Sequence, residues 1–469
     1  MVTVLGANTL SSESYDVANS LRFGSNTYLS ATFGSAPTLA TKNTYSTWFK
    51  RSTLNTLQQL MATHSNAVSI VINTNNTIAF YTNSGQLLSP KVYRDNSAWM
   101  HFVYTFDSTQ GTAANRTKVY INGVQETSFN NTAYPAQEAS QLGVNGQVMK
   151  IGTRTQNDRI FEGYMAETAF VDGQALAADS FGEFDSASGI WKPIDISSLT
   201  FGNNGFYLEY KGTGTSANSS GIGADTSGND LHFAVTNFTA ADQSTDTCTN
   251  NFATLNPLIT GANFVFSDNN LVIAQSATNW DSAYSTMGVT SGKWYMEFKG
   301  KVGGYFDIGV TDIIDAAGNV SQNSGCVAYK SNAEFARAGA VGDGLPSAIT
   351  TPASSSYGVD DIMGIAIDID NEAVYFAKNG TYEVNSDPTS GSSKTGAVTL
   401  PNSNSTYFFA VAAYKGGSAS SGTAQVNFGG GSVDAISSGN QDADGFGNFE
   451  HAPPSGYFAL CTKNLAEYG

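Results

Sequence analysis

Apolar and polar residues alternate along many short segments of the chain, and this period of two is typical of β-strands that bury one face. The segment 99–107 shows the alternation most clearly, because every second residue in it is large and apolar. Its apolar face is formed by Met100, Phe102, Tyr104 and Phe106. The pattern predicts a strand whose apolar face lies against a hydrophobic core.

The same alternation recurs in the second half of the chain. Trp294, Met296 and Phe298 fall on one face of a predicted strand. A later segment places four further apolar side chains on one face, and these are Met363, Ile365, Ile367 and Ile369. Each half of the chain therefore carries enough one-sided strands to form a core of its own.

Turn signals separate the predicted strands. Asn122-Gly123 and Asn379-Gly380 each follow an apolar run, and Asn-Gly is the strongest short signal for a type I′ hairpin turn. The helical candidates are one-turn segments such as 175–181. Many short strands with regular turns predict an all-β chain of two antiparallel β-sandwich (jelly-roll) domains.

Changes in composition predict the domain boundaries. Residues 1–19 are polar without clear periodicity, and we expect them to form an N-terminal arm. The strand-and-turn pattern covers 20–210 and again 257–469, with one sandwich in each range. Between them, residues 211–256 are rich in Gly, Ser and Thr, which is typical of a linker.

The charge of the chain and the length of its apolar runs each exclude one class of partner. Charged residues make up 13%, and 39 acidic against 22 basic residues give a net charge of −17. A nucleic-acid-binding protein needs a cationic surface for the phosphates, so no nucleic acid is expected as a partner. No segment approaches the roughly 18 consecutive apolar residues of a membrane-spanning helix, so no membrane insertion is expected.

The first predicted sandwich resembles the laminin-G-like, or concanavalin A-like, jelly-roll family. Three segments carry the resemblance, in the family's order: Trp99-Met100-His101-Phe102-Val103, like its W-x-H strand; Val119-Tyr120-Ile121-Asn122-Gly123, like its V-Y-I-N-G hairpin; and Phe161-Glu162-Gly163-Tyr164-Met165-Ala166-Glu167, like its closing F-x-G-x-I-D-E strand. One departure is Ala166, where the family usually has Asp. The resemblance implies a jelly roll over 20–210.

The second predicted sandwich is similar to SPRY domains. The segments that carry this resemblance are Gly292-Lys293-Trp294-Tyr295-Met296-Glu297, then Phe376-Ala377-Lys378-Asn379-Gly380, like the F-x-x-N-G turn, and Val426-Asn427-Phe428-Gly429, like the late N-F-G strand. The resemblance implies a SPRY-like sandwich over 257–469.

Segments at the junctions resemble tailed-bacteriophage virion proteins that join a laminin-G-like domain to a SPRY domain. They include residues 223–230, 250–257 and 454–465. This resemblance implies a fibre, spike or decoration protein on the virion surface, assembled in the host cytoplasm. The implied partners are other virion proteins, host-surface glycans and copies of the same chain. Since fibres and spikes are symmetric, a homotrimer is expected.

A glycosidase is the alternative from another functional class. Retaining glycosidases need two carboxylates about 5–5.5 Å apart, and enzymes on this fold present them as E-x-D-x-x-E from one strand. The nearest match starts at Glu183 and Asp185, but Ser188 replaces the third acid. We therefore assign no catalytic residue. A glycan-depolymerising tailspike and a decoration protein without a ligand remain the two alternatives.

Three oxygen-bearing side chains lie close together in the sequence, at Asp225, Asn229 and Asp230. Hard cations such as Ca²⁺ bind such ligands. The spacing is not that of an EF-hand loop, and D-x-S-G-N segments also form ordinary turns. No cofactor is expected, and calcium at these three residues is the one candidate.

Aromatic residues in polar segments are the candidates for glycan binding. Trp280, Tyr357 and Tyr134 lie where the pattern indicates loops. Sugar rings stack on such side chains, and neighbouring polar groups supply hydrogen bonds. The alternative is that each residue covers a sandwich edge or a subunit interface. The sequence thus predicts a non-enzymatic protein that attaches to glycans or to virion proteins by weak, multivalent contacts.

Overall fold

The structure is a computed structural model that describes residues 15–63, 68–82, 85–315, 318–322, 325–338, 349–353, 355–416 and 421–469. Within these residues the chain forms two compact units, 15–251 and 252–469. Most of the regular structure is β-strand, paired antiparallel with one exception among the named strands. The predicted all-β class with antiparallel sheets is confirmed. Of the predicted arm, 1–19, residues 1–14 lie outside the described residues.

The first unit contains eighteen strands among its described residues, with short 3-10 turns at Ala113–Asn115, Ala178–Ser180 and Ala240–Asp242. The strands are β1 (Ser20–Phe23), β2 (Tyr28–Thr32), β3 (Lys42–Arg51), β4 (Gln58–Thr63), β5 (Ser69–Ile72), β6 (Thr77–Tyr81), β7 (Gln86–Val92), β8 (Trp99–Asp107), β9 (Thr117–Ile121), β10 (Val124–Gln125), β11 (Asn131–Ala133), β12 (Val148–Ile151), β13 (Gly163–Asp172), β14 (Gly182–Phe184), β15 (Trp191–Pro193), β16 (Phe206–Leu208), β17 (Ala234–Thr236) and β18 (Gln243–Ser244).

These strands form two large sheets and one two-stranded sheet. The first sheet has the order β10-β9-β8-β3-β13-β1-β18, with β16 also paired to β13. The second sheet has the order β11-β7-β6-β5-β4-β12-β2-β17, and β14 pairs with β15. Side chains from both large sheets form one hydrophobic core, which includes Met100, Phe102, Tyr104 and Phe106 of β8. The predicted inward face of this strand is confirmed.

The opposite face of β8 is buried as well. Trp99 and Val103 belong to a second cluster that also contains Trp48 and Trp191. His101 lies on this face, stacked on Trp48 with ring centroids 4.6 Å apart. Its Nδ1 accepts a hydrogen bond from the indole of Trp191 at 3.0 Å. Because burial lowers the pKa of His101 to about 3, the ring is a neutral structural element.

A glycine next to this cluster is required for two reasons. Asn122 and Gly123 form the predicted tight turn between β9 and β10, and both have positive φ, 48° and 77°. A Cβ at Gly123 would lie 2.3 Å from the ring of Trp191. The position therefore requires both the left-handed backbone and the absence of a side chain.

A buried carboxyl group lies at an irregularity in β13. Glu167 has φ 49°, within the register shift between Ala166 and Ala169. Its Oε2 accepts hydrogen bonds from the phenols of Tyr15, at 2.9 Å, and Tyr207. Burial raises the pKa of Glu167 to about 7. The bond from Tyr15 fixes the start of the described chain to the first sheet.

Residues 211–251 belong to the first unit, whereas the sequence predicted a linker over 211–256. Phe233, Ile222 and Phe238 are buried in the core of this unit. The strands β17 and β18 complete its two sheets by pairing with β2 and β1. The structure thus corrects the linker assignment, because a few widely spaced apolar residues anchor a segment whose composition is otherwise that of a loop.

The second unit contains sixteen strands among its described residues, with 3-10 turns at Asp268–Asn270, Val320–Gln322, Glu383–Asn385 and Gly391–Ser393 and one helix, α1 (Thr462–Tyr468). The strands are β19 (Leu255–Thr260), β20 (Phe264–Ser267), β21 (Val272–Gln275), β22 (Asp281–Val289), β23 (Lys293–Val302), β24 (Tyr305–Thr311), β25 (Cys326–Lys330), β26 (Glu334–Ala338), β27 (Ile349–Pro352), β28 (Ile362–Asp368), β29 (Ala373–Lys378), β30 (Thr381–Tyr382), β31 (Val398–Thr399), β32 (Tyr407–Tyr414), β33 (Gly422–Asn427) and β34 (Phe458–Ala459).

Two sheets enclose the core of the second unit. One has the order β19-β22-β32-β24-β25-β26-β27. The other has the order β20-β21-β33-β23-β28-β29-β30, with β31 paired to β29 and β34 parallel to β23. The predicted inward residues of β23 and β28 lie in the shared core, namely Trp294, Met296, Phe298, Met363, Ile365 and Ile367. Ile369 lies just beyond β28 and packs against this core.

The late part of the chain covers the outer face of the second of these sheets. Tyr295 and Tyr375 on that face pack with Phe449 and Tyr457 in a separate apolar cluster. The first and last segments of the unit also meet, because Phe252 forms an antiparallel bridge with Cys461. The amide of Ala253 donates to the carbonyl of Leu460 at 3.0 Å.

Candidate functional site

Three aromatic side chains lie next to one another at one end of the sheet that contains β22, β32 and β24. Trp280 directly precedes β22, Tyr414 ends β32 and Tyr305 begins β24. These strands are neighbours in the sheet in this order, and Tyr305 and Tyr414 are paired in register. We call Trp280, Tyr414 and Tyr305 the aromatic strip.

The rings of the strip are close but not coplanar. The ring centroids of Trp280 and Tyr414 lie 5.6 Å apart, and those of Tyr414 and Tyr305 lie 6.1 Å apart. The two pairs are tilted by 36° and 48°. Since neighbouring strands of a sheet are twisted relative to one another, a row of rings on successive strands turns in the same way. The shape of the strip therefore suits a ligand that is a twisted chain of rings better than a flat ligand.

One side of the strip is anchored and the other is accessible. Trp280 is partly buried against a cluster that includes Tyr284 and Val320, whereas Tyr305 is 54% exposed. Gly304, next to Tyr305, approaches the backbone of β33 closely, because a Cβ at Gly304 would lie 2.7 Å from the Cα of Gly422. A side chain at this point would collide with the neighbouring backbone.

The polar tips of the strip have no hydrogen-bond partner among the described residues. Within the described residues, no hydrogen bond is formed by the indole N–H of Trp280 or by the phenol groups of Tyr414 and Tyr305. An aromatic face with a polar tip can stack against an apolar surface of a ligand and also bond to its hydroxyl groups. The arrangement suits a chain of sugar rings, whose C–H faces are apolar and whose edges carry hydroxyl groups.

The sequence identified one of the three residues. Trp280 was among the predicted glycan-binding residues, but Tyr305 and Tyr414 were missed. The alternation along β24 contained a signal for Tyr305. Phe306, Ile308 and Val310 face the core, so Tyr305 lies on the outer side of the strand. Which strands lie beside β24 is a property of the sheet order and is not visible in a local pattern.

Tyr357 does not belong to an accessible site. It is 5% exposed, and its ring packs between Phe298 and Tyr329 in the core of the second unit. Its hydroxyl oxygen lies 2.8 Å from the carbonyl oxygens of both Phe306 and Tyr329, which share its single hydrogen. The structure thus corrects the predicted glycan-binding role of Tyr357, because burying the ring while satisfying its hydroxyl makes it a core residue.

Tyr134 is half-buried in the other unit. It follows β11 and packs against the core of the first unit. The aromatic strip belongs to the second unit. The arrangement of Tyr134 fits the alternative role, that of covering the edge of a sandwich.

The carboxylate of Asp225 is fully occupied by donors of the protein. Its Oδ1 accepts from the amides of Tyr207 and Ser227, and its Oδ2 accepts from the Ser227 hydroxyl and the Leu231 amide, each at 2.9 Å. Two bonds on each oxygen leave little capacity for a cation. Asp225 therefore holds a loop together, and its carboxylate is not free to bind the predicted calcium ion.

The other two predicted calcium ligands do not join Asp225. The side-chain nitrogen of Asn229, Nδ2, donates to the carbonyls of Gly202 and Gly205. The side chain of Asp230 is 88% exposed beside His232. In the described part of the chain, no group of three or more His, Cys, Asp or Glu side chains is arranged to hold a metal ion.

The nearest match to a glycosidase motif forms a surface turn. Asp185 accepts hydrogen bonds from the amides of Ala187 and Ser188, and these bonds lower its pKa to about 2. Lys192 lies 3.5 Å from Glu183 and 3.4 Å from Asp185. The turn and the ammonium group account for both carboxylates, and Asp185 lacks the raised pKa that a general acid needs.

Among the described residues, no helix combines the length and the apolar character needed to cross a bilayer.

Comparison with known proteins supports the fold of the first unit. A model of the concanavalin A-like lectin/glucanases superfamily, of laminin-G type, matches residues 23–180. The sequence resemblance of this unit to concanavalin A-like domains is confirmed. No curated protein matches the chain.

Several solved structures are similar at low sequence identity. The SPRY domain of human HERC1 is 14% identical, with 39% of this chain and 99% of that chain covered and a TM-score of 0.29. A human SPRY domain is 13% identical, with 35% and 94% covered and a TM-score of 0.25. The heptameric SAP-like pentraxin of Limulus polyphemus is 15% identical, with 35% and 80% covered and a TM-score of 0.28. Likeness at this level says nothing about ligands.

Proposed function

We propose that this chain is a non-enzymatic attachment protein of a tailed-bacteriophage virion, and that it binds host-surface glycan chains through the aromatic strip. The observation that carries the binding role is the row of three neighbouring rings at Trp280, Tyr414 and Tyr305. The concanavalin A-like match of the first unit supports a binding protein. The virion location rests on the sequence resemblance of the junction segments to phage virion proteins.

Weak individual sites are sufficient for such a role. Stacking on one aromatic ring contributes about 0.5–1.5 kcal/mol, so three rings give a shallow site of modest affinity. A symmetric assembly presents several copies of the site, and avidity then exceeds the affinity of one site by orders of magnitude. A homotrimer that also contacts neighbouring virion proteins is the assembly we propose.

The binding role can be tested with a matched pair of variants. Tyr305→Ala and Tyr414→Ala are each expected to weaken binding to polysaccharides on a bacterial glycan array by about 2- to 10-fold, from the stacking energy of one ring. Phe184→Ala is the control, because Phe184 is 52% exposed, nearly the same as Tyr305, but belongs to the first unit. The control variant should bind as the wild type does.

Four results would contradict parts of the proposal. Unchanged binding in the Tyr305→Ala/Tyr414→Ala double variant would exclude the strip as the site. Release of shorter glycans from a bound polysaccharide would favour the glycosidase alternative, and absence of binding to every glycan would favour a decoration protein. Immunogold labelling of infected cells that never marks virions would exclude the virion location.

A further inference from the structure

A second possible site lies in the same unit, on the outer face of the other sheet. A cleft of about 340 Å³ is bounded by β23, β28 and β33 and by the later segment that covers them. Glu297 and Lys299 line it from β23, Gln425 lines it from β33, and Asp434 and Glu450 line it from the covering segment. We call this space the carboxylate cleft. It is independent of the aromatic strip.

One residue of the cleft lining has a buried acceptor without a partner among the described residues. Gln425 is 6% exposed, and its Nε2 donates to Asp434 at 3.3 Å. Its Oε1 is buried and accepts no hydrogen bond from the described residues. Leaving such a group unpaired costs about 1–3 kcal/mol, which a ligand with an N–H or O–H donor would recover.

The charges around this acceptor favour a cation. Hydrogen bonds from the Ser437 amide and hydroxyl lower the pKa of Glu450, and Lys301 and Lys299 lower that of Asp434, so both are ionised at neutral pH. Of the three carboxyl groups that line the cleft, Glu297 has a pKa raised by burial to about 7, and Asp434 is paired with both Lys299 and Lys301. Glu450 is therefore the ionised carboxylate of the lining that has no ammonium partner among the described residues.

The remaining bonds show which groups are free to act. Glu297 accepts from the amides of Glu450, at 3.0 Å, and His451, at 2.7 Å, and so it holds the covering segment in place. Glu450 accepts only from Ser437 among the described residues, and an ionised carboxylate has lone pairs for more than two bonds. The free acceptors of the cleft are therefore Gln425 Oε1 and the carboxylate of Glu450.

The other walls fit a hydroxylated ring better than a bare amine. Ile362 and Ile436 supply an apolar surface for C–H groups, and Ser432 and the Lys299 ammonium can bond to hydroxyl oxygens.

We propose that the carboxylate cleft binds one amino sugar residue with a free ammonium group. The ammonium group bonds to Glu450 and to Gln425 Oε1, and the ring lies against Ile362 and Ile436. This assignment does not depend on the aromatic strip and would hold if the strip bound no glycan.

The proposal can be tested by calorimetry on the full chain with D-glucosamine, N-acetyl-D-glucosamine and D-glucose. Glucosamine is expected to bind at least tenfold more tightly than the other two sugars, because acetylation or replacement of the amine removes the positive charge. Glu450→Gln should weaken glucosamine binding about tenfold. Glu467→Gln is the control, because Glu467 is exposed on α1 and lies outside the cleft.

A second variant and the strip variants keep the outcomes distinct. Asp434→Asn should also weaken glucosamine binding, and thermal unfolding of each variant checks that the unit is folded. Tyr305→Ala should leave glucosamine binding unchanged. Equal binding of glucose and glucosamine, or no binding of any of the three sugars, would overturn the proposal. Tighter binding of N-acetyl-arginine amide than of glucosamine would also overturn it, in favour of a basic side chain from a protein partner.

Discussion

Acidification is expected to destabilise the first unit through the imidazole of His101. The ring is stacked on Trp48, and its two nitrogens are used by Ser46, at 2.8 Å, and by the indole of Trp191. Protonation of Nδ1 would break the bond from the indole and place a charge in an apolar cluster. Burial accordingly lowers the pKa of His101 from 6.5 to about 3.

The size of the loss of stability follows from the difference between the pKa of His101 in the unfolded chain and in the folded protein. Above pH 6.5 the imidazole is neutral in both states, and the stability linked to it is fully present. As the pH falls below 6.5, the imidazole is protonated in the unfolded chain but stays neutral in the folded protein until the pH reaches about 3. At 1.36 kcal/mol per pH unit, His101 alone lowers the free energy of unfolding by about 3 kcal/mol between pH 6.5 and pH 4.

The assay is urea unfolding of the wild type and of His101→Gln over this pH range, followed by tryptophan fluorescence. Glutamine can bond to Ser46 and Trp191 but does not titrate, and the other titrating groups are common to both proteins. The advantage of the wild type over the variant should therefore shrink by about 3 kcal/mol from pH 6.5 to pH 4. Two stability profiles that stay parallel would refute the reasoning.

Two further predictions concern the same unit. Burial raises the pKa of Glu167 to about 7, so the stability linked to it is present below pH 4.5 and is lost as the pH rises through 7. In urea unfolding, the free energy of unfolding of the wild type relative to that of Glu167→Gln should fall by about 3 kcal/mol from pH 4.5 to pH 7, and a constant difference between the two proteins would contradict this. Phe233→Ala should lower the free energy of unfolding by about 3–5 kcal/mol because the ring is fully buried, whereas a linker residue would leave the urea midpoint unchanged.

Local patterns in the sequence predicted the strands well. The alternation of Met100, Phe102, Tyr104 and Phe106 identified the inner face of β8, because a period of two reports directly on burial. It did not show that the other face of the strand is buried too. Trp99 and His101 on that face are covered by residues far away in sequence, such as Trp191, and a local pattern contains no information about them.

The candidate site was predicted only in part for the same reason. Trp280 stood out as an aromatic residue in a polar segment, but its neighbours Tyr414 and Tyr305 come from strands that adjoin only through the sheet order. Tyr357 stood out in the same way and is a core residue, since its partners are carbonyls of two distant strands. The composition of 211–251 also did not show that this segment is anchored in the core. A single buried residue such as Phe233 is enough to anchor it, although most of its neighbours are residues typical of loops.

The bridge between Phe252 and Cys461 bears on how the second unit could be inherited. The segment that enters the unit therefore lies beside the segment that precedes α1, and α1 itself still packs on the core through Leu465 and Tyr468. A recombination event that exchanged residues 252–469 as one compact unit would transfer the aromatic strip and the carboxylate cleft together. Binding specificity could then change in one genetic step, while the first unit kept its fold.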